Sequence, residues 1–291
     1  MAGEKAFTTG GGDLYSEEGL FSYQHVLETV RRRLNGAKEL VKFLIIFGVN
    51  RGGTTALQLL AAQFEDVCLA EFQPFKDILR HGAARSTSLS YREGDLWQGG
   101  TVVLKEALGP LRQAECTLDP FRFLLEAGIS LADISAIFIL RDPRKAYYSW
   151  TQLIDTNPAP FCLSQQSVVK TYYTYRDRLR ACVPLYYGML RQEAVLRETF
   201  RRVGLDNGLR LGFNSDLLRR KVRWNEADPE SRGEQGKHYW EAVVAPMVQR
   251  GSFQYVSRPS PPLALAEKEY LDREALPQYQ EWQRLCDESF A

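Results

Sequence analysis

The eight residues GVNRGGTT, 48–55, stand between the apolar run FLIIF and the stretch ALQLLAAQF. Glycines let a backbone approach an anion closely, and the N–H groups of a helix's first turn converge on it, helped by the helix dipole. An ATP- or GTP-binding loop of this outline carries Gly-Lys-Ser/Thr, with the lysine reaching the outer phosphates and the hydroxyl holding magnesium. Here Thr54 stands in place of that lysine, and the loop's basic residue is Arg51. No expected strand ends in a plain magnesium-binding aspartate, which argues against an NTPase.

Further residues with chemical potential follow at strand ends. After SAIFIL comes RDPRKAYYSW, which places Arg141 at a strand end and Ser149 eight residues on, in the next helix. A guanidinium fork and a hydroxyl so placed can converge on one phosphate. Glu71 closes the run DVCLAE, and Lys105 lies near the end of TVVLKE. Taken singly, each reads more readily as a charge turned to solvent. Taken together, Arg51, Glu71, Lys105 and Arg141 would meet at the carboxyl ends of a parallel sheet, where open α/β folds place their sites.

The elements that must hold these residues read as alternating strands and helices. VKFLIIF, DVCLA (66–70), TVVLKE (101–106) and SAIFIL (135–140) are short apolar runs suited to buried parallel strands. YQHVLETVRRRLNGAKEL has helical spacing with Asn35-Gly36 as a stop, and a helix is expected to start at Thr54 or Thr55. From about residue 165 the pattern predicts helices over QSVVKTYYTYRDRLRACV and PLYYGMLRQEAVLRETFRRVGL, the second stopped by Gly204. WNEADPESRGEQGK reads as a long loop, and RPSPPLALAEKEYLDREALPQ as a connector to a last short helix. The fold expected is α/β, a single domain with a central, mostly parallel sheet flanked by helices.

GVNRGGTTALQLL resembles the 5'-phosphosulfate loop of sulfotransferases, commonly G-x-P-R-S-G-T-T, which hold 3'-phosphoadenosine-5'-phosphosulfate (PAPS). Asn50 stands where proline is usual and Gly52 where serine is usual. Arg141 and Ser149 match the family's 3'-phosphate pair. Glu71 stands where the carbohydrate and protein-tyrosine branches have a catalytic glutamate, and Lys105 where they have a lysine near the group in transfer. SRGEQGKHYW (231–240) is similar to the family loop R-K-G-x-x-G-D-W that closes over the 3'-phosphate, which makes Arg232, Gly233 and Lys237 candidates in a mobile lid. The resemblance runs from about 42 to 240.

It implies a P-loop-like sulfotransferase domain over 21–291 behind a flexible lead-in of residues 1–20. PAPS would bind Arg51, Gly52, Gly53, Thr54, Thr55, Arg141 and Ser149 besides the lid, leaving the product adenosine 3',5'-bisphosphate (PAP). Glu71, Lys105 and Arg51 would be catalytic, with no metal required. Glu106, beside Lys105, is a second candidate base. Another branch of the family uses histidine, but His25, His81 and His238 read as surface or structural residues.

Composition bounds the partners. Among 291 residues, 37 basic and 36 acidic side chains leave a net charge of +1, so no global field draws the chain to nucleic acid. No stretch approaches the ~18 to 20 apolar residues of a membrane span, and the start lacks a secretory signal, so a cytoplasmic protein is expected. The five cysteines are scattered without a C-x-x-C pair, which suggests reduced thiols. A hydroxylated metabolite, lipid or glycan is the expected acceptor. An aromatic-rich stretch, YYSWTQLIDTNPAPF to TYYTYRDR, is mostly core with some rings available to an acceptor pocket. An atypical kinase and a non-catalytic nucleotide-binding module are the alternatives.

Overall fold

The computed structural model describes residues 20–92, 94–109, 112–152, 156–206, 208–223, 245–256 and 262–291. Apart from Leu20, the expected lead-in lies outside these residues, as do the long loop at 224–237 and the lid at 231–240.

The central run forms β1, Val41–Val49, which hydrogen-bonds to β3, Gly100–Leu108, on one side and to β4, Ile134–Leu140, on the other. With neighbours on both edges and helices over the sheet, every β1 residue except Lys42 is buried, which accounts for its unbroken apolar run. β2, Val67–Phe72, lies outside β3, and β5, Ala181–Tyr186, outside β4. Among the described residues β6, Val222–Arg223, completes one sheet of order β5-β4-β1-β3-β2-β6, parallel throughout.

The helices are α1 Tyr23–Leu34, α2 Thr54–Ala61, α3 Pro74–Arg85, α4 Gln113–Cys116, α5 Pro120–Glu126 and α6 Pro143–Thr151. They continue as α7 Pro158–Tyr175, α8 Glu193–Arg202, α9 Ser215–Lys221, α10 Ala245–Gln249, α11 Leu265–Glu274 and α12 Leu276–Phe290. α1 packs on α3 and α5, α2 and α7 lie on the sheet, and α12 packs along β5. Pro143 and Asp142 start α6 in the usual way: the proline's missing N–H falls in the first turn, and the Asp142 carboxylate accepts from Arg144 N and Lys145 N.

Two expectations are corrected. The residues ACVPLY, divided between two expected helices, form β5. Pro184 reads as a helix start, yet an edge strand tolerates a residue without an N–H donor. The connector before the C-terminal helix is itself helical as α11, and Pro277 falls in the first turn of α12. Tyr147, Trp150, Tyr172 and Tyr175, within the aromatic-rich stretch, are buried in the core. No helix among the described residues is long and apolar enough to cross a membrane.

Candidate functional site

The loop 49–53 leaves the carboxyl end of β1 and turns into α2. Arg51 takes a positive φ of 67°, and Gly52 N–H donates to Val49 O at 2.9 Å to close the turn. A Cβ at Gly52 would lie 2.8 Å from Val49 O, so this turn excludes the serine usual in the similar loops. Gly53 has φ 105° at the N-cap of α2, and no side chain caps that helix. With glycine at the N-cap, no N-cap side chain competes for the N–H groups of its first turn.

Asn50 uses all four of its polar groups to fix the loop. Its N–H donates to Leu108 O at 3.1 Å, and its Nδ2 to Gly109 O at 2.8 Å. Its Oδ1 accepts from Gln73 Nε2 at 3.1 Å, and its carbonyl accepts from Trp150 Nε1. The residue that departs from the family pattern therefore joins the ends of β1, β2 and β3 to α6. Gln73, at the end of β2 with φ 51°, belongs to the site's framework and was missed in the sequence, where nothing but its nearness to Glu71 marks it.

Arg51, Arg141 and Ser149 come together. Arg51 Nε donates to Ser149 Oγ at 2.7 Å, and Arg141 Nη1 donates to Arg51 O at 3.1 Å. The Arg141 guanidinium lies 4.6 Å from the ring centre of Tyr187, just beyond β5. A cavity of about 450 Å³ opens beside it, lined by Arg141, Lys145, Tyr186, Tyr187, Tyr255 and Tyr279 among others. Flat rings and cations together suit a planar base carrying phosphate.

Glu71 and Lys105 do not join this group directly. In the β2–β3 register Glu71 pairs with Leu104, and Phe72 with Lys105. Strand alternation then puts Glu71 and Glu106 on one face of the sheet and Lys105 on the other. Accordingly, the Lys105 ammonium lies 3.8 Å from the Phe72 ring centre, while Glu106 Oε1 accepts from Phe75 N at 2.7 Å. The expected gathering is thus corrected: the two can meet one reacting group only beyond the strand ends. Glu71 is one residue from the end of β2, whereas Lys105 lies three inside β3 because that strand runs on to Leu108.

All three are buried, and burial shifts their protonation. Desolvation lifts the Glu71 carboxyl to about 7 against an ordinary 4.5, with the Leu89 amide, Arg223 and Tyr91 pulling it back and Asp77 adding to the rise. Burial likewise raises Glu106, opposed chiefly by Lys76, and lowers Lys105 well below the usual lysine range, with Lys76 adding to the effect. Lys105 Nζ has no hydrogen-bond partner among the described residues. Lys76, also buried, spends its ammonium on Ala107 O and on Gly109 O, the latter at 2.7 Å, capping the edge of β3 where β2 has ended.

No protein-family model matches the chain, and no curated protein matches it.

His25 Nε2 accepts from Ala83 N at 3.1 Å, a structural role, and His81 lies within α3 near Asp77. His238, Arg232, Gly233 and Lys237 lie outside the described residues. Among the described residues no group of three or more His, Cys, Asp or Glu side chains is placed to hold a metal ion.

Proposed function

We propose that the protein is a sulfotransferase that moves a sulfuryl group from PAPS to the hydroxyl of a small metabolite, lipid or glycan in the cytoplasm. The observation that carries this reading is the meeting of Arg51, Arg141 and Ser149 beside the uncapped start of α2. One cluster so built can hold two anionic groups of one nucleotide, the 5'-phosphosulfate at the loop and the 3'-phosphate at Arg141 and Ser149. The cavity edged by Tyr187 has room for the base. Bound PAPS would supply the sulfuryl group with a nucleotide phosphate as leaving group.

The loop amides and Arg51 would stabilise charge growing on the leaving oxygen, and Glu71 would take the acceptor's proton. Lys105, on the other face of the sheet and with burial disfavouring its ammonium, is given no part in the transfer step. The arginine and serine in the site favour this reading over a kinase, because a 3'-phosphate is what distinguishes PAPS from ATP. A thermal-shift comparison tests it: PAP without magnesium should raise the melting temperature more than ATP with magnesium. An equal response to both would remove the 3'-phosphate site, and PAP binding without transfer to any hydroxyl would leave a binding module.

A further inference from the structure

The cavity beside Arg141 is walled mostly by positive charge. Its described lining holds three cationic side chains, Arg141, Arg144 and Lys145, against one carboxylate, Asp142. Arg144 is neutralised from outside the cavity, donating through Nε and Nη2 to the two carboxylate oxygens of Asp272 at 2.6 Å each. Lys145, half-buried, makes no hydrogen bond or ion pair through its ammonium among the described residues. A concave wall dominated by one sign of charge focuses its field on the space it encloses, and the group that answers this field is an anion.

The start of α6 explains why side chains must supply that charge. A bare helix start would offer its N–H groups to an anion, but here the Asp142 carboxylate has taken Arg144 N at 3.0 Å and Lys145 N at 3.2 Å. The start of α2 has no such cap. The two helix starts thus offer different chemistry, amides at α2 and side-chain charges at α6.

Positions 141, 145 and 149 are four apart, a spacing that sets side chains along one face of a helix. Lys145 therefore stands between Arg141, just ahead of α6, and Ser149, near its end. The Arg144–Asp272 pair holds this first turn against α11. The backbone of Lys145 is fixed, while its flexible stem can still reach a ligand.

We propose that Lys145 is the second cation of the 3'-phosphate subsite and sets the preference for nucleotides that carry this phosphate. The inference rests on the sulfuryl-transfer reading and names a further residue that decides its cofactor specificity. A phosphate monoester carries about −1.5 to −2 charges at neutral pH, which one guanidinium beside Asp142 cannot balance. Arg141 suits a planar contact with two phosphate oxygens, and Lys145 supplies a point charge for the remaining one. A nucleotide with a free 3'-hydroxyl leaves the Lys145 ammonium unanswered. Discrimination at this end then comes from charge.

The test is calorimetric titration of PAP and of adenosine 5'-monophosphate (AMP) into wild type, Lys145→Met and Lys145→Arg. Wild type should bind PAP more tightly than AMP. Lys145→Met keeps the stem and removes the charge, so its Kd for PAP should rise about tenfold, with the Kd for AMP unchanged. Lys145→Arg should recover most of the PAP affinity. An unchanged Kd for PAP in Lys145→Met, an equal rise for both nucleotides, or a loss that Lys145→Arg shares in full overturns the role of Lys145. In each of those cases a wild-type preference for PAP leaves the sulfuryl-transfer reading standing. Wild type that binds PAP no better than AMP overturns the 3'-phosphate subsite and Lys145 together.

Discussion

Arg51 Nε donates to Ser149 Oγ at 2.7 Å, joining two residues 98 positions apart in the chain. Arg141 completes the join through the Arg51 carbonyl, so the loop after β1 and the helix after β4 form one hydrogen-bonded unit.

PAP should therefore stabilise the protein without magnesium, and Arg141→Ala or Ser149→Ala should weaken that effect. Loss of a charge-assisted hydrogen bond costs ~1.5 to 3 kcal/mol, a tenfold or greater rise in Kd. Titration calorimetry with PAP checks this. Unchanged Kd in both variants would detach these residues from the nucleotide.

Glu71→Gln keeps size and the bond from Leu89 N–H while removing the proton acceptor. Its transfer rate should fall ~10²- to 10⁴-fold, the range general-base catalysis supplies, with PAP binding retained. Glu106→Gln is the companion variant. Glu106 already serves the first turn of α3 through Phe75 and Lys76, so its loss should show in stability before rate. Collapse of turnover in Glu106→Gln alone would move the base to β3.

The raised Glu71 carboxyl also makes a stability prediction. Its folded value of about 7 exceeds the ordinary 4.5, so the folded protein keeps a proton that the unfolded chain has released. Stability then falls as pH rises from about 4.5 to 7 and levels off above that. Glu71→Gln removes this loss and should be more stable than wild type at pH 8, by on the order of 3 kcal/mol, with the gap closing toward pH 4. Urea unfolding at both pH values measures it. Lower stability of the variant at pH 8 would mean that its neighbours hold the carboxylate below, not above, its ordinary range.

Asn50→Pro introduces the residue usual in the similar loops, and here it should be harmful. Proline has no N–H for Leu108 O and no side-chain amide for Gly109 and Gln73. A loss of ~1 to 3 kcal/mol per unsatisfied buried group is expected, with weaker PAP binding. Chemical denaturation and a PAP titration would show it, and a neutral result would mean that the loop holds itself without Asn50.

The sheet was legible wherever strands are buried on both faces, because such strands read as continuous apolar runs. β1 and β4 came within two residues of their observed bounds. β5 was hidden because Pro184 and the tyrosines around it match a helix start as well as a strand, and edge position cannot be seen locally. At the site, Arg51, Arg141 and Ser149 were legible from type and spacing. Gln73 and Leu89 were not, since their roles come from backbone strain and from contacts across 23 and 18 residues that no local pattern encodes. The opposition of Glu71 and Lys105 was hidden too, because it depends on the register between β2 and β3.

β5 places Pro184 in an edge strand, and α12 lies along that strand, Trp282 Nε1 donating to Leu185 O at 2.8 Å. A foreign strand approaching from this side would meet a position without a donor and a carbonyl already taken. At the opposite edge, β6 offers only Val222 and Arg223 among the described residues. The β5 margin is no template for growth while α12 is seated. Seating of α12 is thus what closes this margin against pairing between chains.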